Sequence, residues 1–138
     1  MRVVIDTNIL VSAFLWHGLP GELIELAGDK TIQPYTSRVL IEELTSVLTR
    51  KKLAKQVAAT GLSAAEMISH FRRLVTVVSA PALPQQVSRD PDDDAVLACA
   101  LAARVDLIIS GDADLLSLKT FQAIPIVTVA QALKQILG

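Results

Sequence analysis

Short apolar runs recur along this chain, and longer amphipathic or alanine-rich segments separate them. Unbroken apolar runs are typical of buried parallel strands, whereas apolar residues repeating every three to four positions indicate helices. Pro34 lies inside one of the runs and favours an edge strand or a strand end there, because proline has no amide proton to donate. We predict strands over residues 2–5, 31–35, 75–78, 107–109 and 124–129.

Helical patterns fill the spaces between these strands. The first helix follows the turn Asp6-Thr7-Asn8, and the prolines of residues 79–89 indicate a connecting loop. Alternating strands and helices predict an α/β fold with three layers and a mainly parallel sheet, and residues 1–138 match the length of a single domain. The remaining helices are predicted over residues 19–28, 37–50, 51–59, 63–74, 92–104, 112–118 and 130–137.

Two of the apolar runs stop at carboxylates. Residues 3–5 precede Asp6, and residues 107–109 precede Ser110-Gly111-Asp112. Sites in open α/β sheets form beyond the carboxyl ends of the strands, so neighbouring runs would bring these carboxylates together. A divalent cation would relieve the repulsion between them, which makes this edge of the sheet a candidate metal site.

Other acidic residues add to the set, and each has an ordinary alternative role. Asp6 could be a helix cap, but its place at a strand end beside Asn8 favours a ligand. Helical spacing barely distinguishes Glu42 from Glu43 as the glutamate that reaches the site. Among residues 90–94, Asp93 shares a helix face with apolar residues and Asp90 comes next.

The end of the fourth strand offers a further pair of carboxylates. Asp112 lies nearest the strand, so it is the better ligand candidate, and Asp114 is a supporting or alternate ligand. Ser110 can hydrogen-bond a ligand, a water or a phosphate. Oxygen donors without a Cys/His zinc pattern favour Mg²⁺ or Mn²⁺.

Composition and charge narrow the choice of function only slightly. The net charge is −1, yet residues 30–73 hold eight basic and three acidic residues, whereas residues 90–114 hold seven acidic and one basic. This asymmetry fits an enzyme that holds a polyanion and cuts it with metal, although solvated helix faces would give the same pattern. The single cysteine, Cys99, excludes an internal disulfide and is expected to be buried. No apolar stretch reaches membrane-spanning length and no signal-peptide layout is present, so we expect a cytoplasmic protein with no membrane partner.

The ordered set Val4-Ile5-Asp6-Thr7-Asn8, Glu43-Leu44, Asp93 with Leu97 and Ala100, and Ile109-Ser110-Gly111-Asp112 resembles the PIN domain family. The resemblance covers essentially the whole chain and is strongest to the prokaryotic toxins of toxin–antitoxin pairs similar to VapC. It implies a PIN-like α/β/α fold, endonuclease activity on single-stranded RNA, and Mg²⁺ or Mn²⁺ held by four acids. It also implies homodimers and inhibition by a small antitoxin protein.

The family pattern falls on Asp6, Glu43, Asp93 and Asp112 as catalytic and metal-binding residues, and Asp92 or Asp94 could replace Asp93. Many members have threonine at the position of Ser110. Arg38, Arg50, Lys51 and Lys52 would guide the RNA backbone. The supporting positions are Thr7, Asn8, Asp90, Ser110 and Asp114.

Two other functions remain open at this point. A small Mg²⁺-dependent phosphatase also has a strand-end aspartate, but a dehalogenase-type enzyme would need a second aspartate where this chain has Asn8. A PIN-like module that binds RNA or protein without cutting would keep the fold, and a complete acidic set argues against it. Metal-dependent cleavage of phosphodiester bonds distinguishes the nuclease from both.

Overall fold

The computed structural model describes residues 1–138, and six strands form its middle layer. They are β1 (Arg2–Ile5), β2 (Gln33–Thr36), β3 (Thr76–Val77), β4 (Leu107–Ile109), β5 (Thr120–Phe121) and β6 (Ile124–Val127). Their order across the sheet is β3-β2-β1-β4-β6-β5, and every neighbouring pair is parallel except β5 with β6. The predicted α/β fold with a mainly parallel sheet is therefore confirmed.

Eight α-helices connect and cover these strands, and a 3₁₀ turn at Lys51–Leu53 precedes the fourth of them. A capping box of Ser63 and Glu66 begins α5, and Ser37 caps α3 by accepting a hydrogen bond from the Leu40 amide. The helices are α1 (Thr7–Trp16), α2 (Gly18–Gly28), α3 (Arg38–Leu48), α4 (Ala54–Ala59), α5 (Ala64–Leu74), α6 (Pro91–Ala103), α7 (Ala113–Leu118) and α8 (Val129–Leu137).

Each face of the sheet has its own hydrophobic core, because successive strand residues point to opposite faces. Val3, Ile5 and Ile109 pack on one face with residues of α1, α2, α3, α5 and α8. Val4 and Ile108 pack on the other face, mainly with α6. This is the three-layer arrangement that the alternating pattern predicted. Cys99 belongs to the second core, and burial raises the pKa of its thiol to about 12.

Two details of the sheet differ from the sequence-based expectation. The strand that contains Pro34 is not at the edge, since β2 lies between β1 and β3. However, β3 pairs only with Tyr35 and Thr36, and the Gln33 amide donates to Met1 on the β1 side. Backbone groups alternate sides along a strand, so Pro34 faces the side where β3 has not yet begun and no ladder bond is lost. The short β5 was not predicted, because two residues are too few to show a pattern.

The first two helices meet at a sharp bend where the sequence has Gly18, Pro20 and Gly21. A Cβ on Gly21 would lie 3.2 Å from the His17 side chain, so glycine permits the close approach at this corner. The angle between α1 and α2 is 96°. No single helix is long and apolar enough to cross a membrane, and α1 and α2 reach the required length and composition only as this bent pair.

Candidate metal centre

The two strands that end in carboxylates are neighbours in the sheet. Ile5 of β1 is in register with Ile109 of β4, and the Asp6 amide donates to the Ile109 carbonyl at 2.9 Å. Asp6 and Ser110, the next residues along each strand, therefore lie side by side. The Ser110 hydroxyl donates to Asp6 Oδ2 at 2.7 Å and accepts from the Asp112 amide at 3.0 Å. This fully buried serine connects the Asp6 carboxylate to the backbone of Asp112, the other strand-end acid that the sequence predicted to lie nearby.

Asp6 occupies the N-cap position of α1, but its side chain does not cap the helix. Only 6% of the residue is exposed, and Ser110 is its hydrogen-bonding side-chain partner. Burial raises the pKa of this carboxyl, and the nearby Asp112 and Asp90 add to the rise, while the Ser110 hydroxyl opposes it. Asp6 is thus a buried carboxylate that forms no ion pair with a basic side chain.

The acidic run before and within α6 divides into distinct roles. Asp90 is the N-cap and accepts from the Asp92 amide at 2.9 Å, and Asp92 itself is exposed. Asp93 is 4% exposed, and burial raises its pKa to about 6. Asp94 turns away and binds the preceding loop. Of the three alternatives, Asp93 alone is buried toward the cluster, as helical geometry suggested.

The preceding loop supplies a residue that the sequence did not indicate. The Ser88 hydroxyl donates to Asp93 Oδ2 at 3.0 Å and accepts from the Asp90 amide at 3.2 Å. Asp94 fixes this serine by accepting from the amides of Val87 at 3.1 Å and Ser88 at 2.7 Å. No helical or strand pattern extends through residues 79–89, so nothing in the sequence indicated which loop side chain faces the acids.

The structure separates the two adjacent glutamates of α3. Glu42 is exposed and pairs with Arg38 at 3.5 Å, whereas Glu43 is partly buried. Glu43 Oε2 is fully buried and has no hydrogen-bond partner. Burial raises the pKa of Glu43 to about 7, Asp92 and Asp6 contribute further, and the Thr7 hydroxyl opposes the rise. A buried carboxylate oxygen without a partner is costly, so this site lacks a positive group.

The turn after β4 positions Asp112 and Asp114. Asp112 Oδ1 caps α7 by accepting from the amides of Asp114 at 2.8 Å and Leu115 at 3.1 Å. Single carboxylate oxygens of Asp93, Asp112 and Asp114 lie within 4.8 Å of one another. Asp114 also forms a two-fold ion pair with Arg89, from Nε to Oδ2 at 3.0 Å and from Nη2 to Oδ1 at 3.1 Å.

These residues fit a hard divalent cation. All the donors are oxygens, as Mg²⁺ and Mn²⁺ prefer. The repulsion between Asp6, Asp93 and Asp112, and the unpartnered oxygen of Glu43, are the features that a bound cation would relieve. The geometry accordingly favours a metal centre at the carboxyl edge of β1 and β4.

The remaining predicted residues divide between the margin of this cluster and the protein surface. Asn8 is exposed on the first turn of α1 and has no side-chain hydrogen bond, while Thr7 is buried next to Glu43. Arg38, at the start of α3, is exposed. Arg50, Lys51 and Lys52 are also exposed. They follow the far end of α3, which lies about 16 Å along the helix axis from Arg38.

Comparison with known proteins agrees with this architecture. The PIN domain family model matches residues 2–114. An uncharacterized protein of Methanocaldococcus jannaschii is 32% identical over 120 residues, which are 86% of this chain and 76% of that protein. The structure of VapBC2 from Rickettsia felis, bound to a DNA fragment from its promoter, has a similar fold, with a TM-score of 0.63 at 15% identity over 93% of this chain and 98% of that chain. With most of its length matched by the family model, this chain is a member of the PIN domain family.

Proposed function

We propose that this protein is a Mg²⁺- or Mn²⁺-dependent endoribonuclease that acts as one domain over residues 1–138 and is the toxin of a toxin–antitoxin pair. The observation that carries the proposal is the cluster of buried carboxylates at one sheet edge, in which Asp6 and Glu43 have no cationic partner. A negatively charged substrate can approach such a cluster only if cations neutralise it, and phosphodiester hydrolysis is chemistry that Mg²⁺ supports.

In this proposal Asp6, Glu43, Asp93 and Asp112 hold the metal. When bound, the cation supplies Lewis acidity, which neutralises phosphoryl charge and makes water nucleophilic near pH 7. Ser110 keeps Asp6 and Asp112 at a fixed separation, and Ser88 fixes the rotamer of Asp93. Glu43 Oε2, which has no protein partner, orients the attacking water.

The proposed substrate is single-stranded or structured RNA, with the exposed residues Arg38, Arg50, Lys51 and Lys52 guiding its backbone. Because RNA is a cytoplasmic substrate, we propose that the protein acts in the cytoplasm. The neighbour from Rickettsia felis is a VapBC complex, and on that likeness we propose a small antitoxin partner. A homodimeric toxin is proposed on the family resemblance of the sequence alone.

The decisive experiment incubates purified protein with mixed-sequence single-stranded RNA and Mg²⁺ or Mn²⁺. Parallel reactions contain EDTA or the Asp6→Asn variant, and an Asp106→Asn variant is the matched control. Asp106 precedes β4 at the opposite sheet edge and is exposed, so its substitution leaves the proposed centre intact. We expect cleavage that requires both the metal and Asp6, with a loss of at least about 100-fold in Asp6→Asn. Turnover unchanged in Asp6→Asn contradicts the mechanism, and no cleavage with either metal favours a binding role.

The toxin role is tested separately by induced expression in a bacterial host. Growth arrest by the wild-type chain but not by Asp6→Asn is the expected result. Where a small reading frame lies next to this gene, its co-expression should then restore growth. Normal growth during wild-type expression, in a host whose RNA the purified enzyme cleaves, contradicts the toxin role while leaving the nuclease assignment intact.

A further inference from the structure

Arg89 lies at the margin of the carboxylate cluster, on the loop that leads into α6. Its Nε and Nη2 groups bind both oxygens of Asp114, and Asp112 also contributes to raising the pKa of its guanidinium. Asp114 in turn is next to the proposed ligands, since one of its oxygens lies within 4.8 Å of those of Asp93 and Asp112. The positively charged guanidinium of Arg89 is thus fixed at the margin of the acidic centre by Asp114, a carboxylate of the same cluster.

The ion pair leaves most of the guanidinium available. An arginine has five N–H donors and Asp114 uses two, so three have no protein partner. The Arg89 side chain is 86% exposed. Exposed ion pairs contribute little to the free energy of folding, but a two-fold arginine–carboxylate pair strongly restricts orientation. The consequence of this pair is therefore a guanidinium held in one direction rather than a more stable fold.

We propose that Arg89 binds a phosphate of the RNA next to the cleaved bond, and that Asp114 is its positioning residue rather than a metal ligand. This inference rests on the proposed nuclease function. Both Asp114 oxygens are engaged by Arg89, whereas the proposed ligands keep at least one oxygen free of any cation. An arginine fork matches the geometry of phosphate oxygens, so Arg89 adds an attractive contact where the carboxylates alone would repel RNA.

Kinetics and binding on Arg89→Ala, Arg89→Lys and Asp114→Asn test the inference. Arg72→Ala is the matched control, because Arg72 is exposed on α5 and forms no ion pair. We expect Arg89→Ala to raise KM for single-stranded RNA about tenfold with little change in kcat. Arg89→Lys keeps the charge but loses the two-fold donor geometry, so its KM should lie between those of the wild type and Arg89→Ala. Asp114→Asn should also raise KM, because Arg89 loses its positioning partner.

Two further readouts distinguish phosphate contact from a structural role. The binding of fluorescein-labelled single-stranded RNA should lose about 0.7 from its log–log salt slope in Arg89→Ala, as expected for one lost phosphate contact. Mn²⁺ binding, measured by calorimetry without RNA, should persist in both variants, because neither residue is a ligand. Arg89→Ala should bind Mn²⁺ at least as tightly as wild type, since a nearby positive charge is lost, and Asp114→Asn should lose no more than about tenfold, since a nearby negative charge is lost.

The outcomes separate the inference from the proposed function. If the wild-type protein cleaves RNA and Arg89→Ala keeps the wild-type KM and salt slope, the role of Arg89 is overturned alone. If Asp114→Asn abolishes Mn²⁺ binding, Asp114 is a ligand and the positioning role is overturned. If the wild-type protein neither binds nor cleaves RNA, both proposals fail.

Discussion

Asp6 and Asp112 follow adjacent strands, precede helices and occupy N-cap positions, yet their side chains do different things. Asp112 caps α7 through two backbone amides, so one of its oxygens is already satisfied. Asp6 leaves the amides of α1 uncapped and is instead buried against Ser110. A buried carboxylate that does not cap its helix has an oxygen free for a ligand, as the proposed metal centre requires, whereas a capping carboxylate has a structural role as well.

The largest expected effect concerns metal-induced stability, for which Asp6 should be indispensable. A hundredfold excess of Mn²⁺ over its dissociation constant should raise the free energy of unfolding of the wild type by about 2.7 kcal/mol. Asp6→Asn should lose most of this gain, and Asp106→Asn should keep it. Urea unfolding with Mn²⁺ and with EDTA provides the measurement. An equal gain in Asp6→Asn would contradict the distinct role assigned to Asp6.

Removal of the link between the two aspartates tests whether they act together. Ser110→Ala should reduce cleavage about 10- to 100-fold, because the residue orients Asp6 and Asp112 without itself being a ligand. Ser110→Thr keeps the hydroxyl, as in many relatives that the sequence resembles, and should retain most activity. The readout is kcat/KM on one RNA. Equal activity in the alanine and threonine variants would show that the aspartates are positioned independently.

The pH dependence of stability in EDTA sharpens the comparison for Glu43, another carboxylate without a partner. Its pKa rises from 4.5 when unfolded to about 7 when folded, so the native state binds more protons between these values. Stability should therefore fall as pH rises through this window, by about 1–2 kcal/mol after allowance for solvent screening. Glu43→Gln should reduce this fall, while Glu42→Gln, its exposed neighbour, should not. A slope unaffected by Glu43→Gln would place its origin elsewhere, with Asp93 the next candidate.

The smallest effect separates the capping from the non-capping aspartate in the absence of metal. Asp112→Ala removes two capping hydrogen bonds and should cost about 1 kcal/mol of folding free energy. Asp112→Asn keeps the capping oxygen and should cost less. Asp6→Asn should be more stable than wild type in EDTA, because it removes a buried charge and still accepts from Ser110. A destabilised Asp6→Asn would show that the Asp6 charge is already compensated in the metal-free protein.

The sheet edge could be predicted because it depends on local patterns. The apolar runs specified β1 and β4, and parallel packing placed Asp6 beside Ser110. The choice of Asp93 from four aspartates followed from helical periodicity. Glu43 could not be separated from Glu42, because both lie near the border of the apolar stripe and only the packing of α3 determines which turns inward.

Contacts made by irregular segments could not be predicted. Ser88 and Arg89 reach the acids through the path of the loop, which no periodicity encodes. The glycine of the Ser110-Gly111-Asp112 turn suggests a tight turn or a close backbone approach, yet its backbone does not adopt a positive φ, and an added Cβ would meet Ile9 at an ordinary 3.5 Å. Asn8, expected to support a carboxylate or a water, makes no such contact within the protein.

The clamp that Asp94 places on the amides of Val87 and Ser88 has a consequence for engineering this chain. It anchors the end of the β3–α6 connection to the helix that follows, and the exposed Ala82 lies five residues before this anchor. A peptide tag or reporter inserted at Ala82 should therefore leave Ser88 and Asp93 in place, because exposed loops tolerate insertions when their anchored ends do not move.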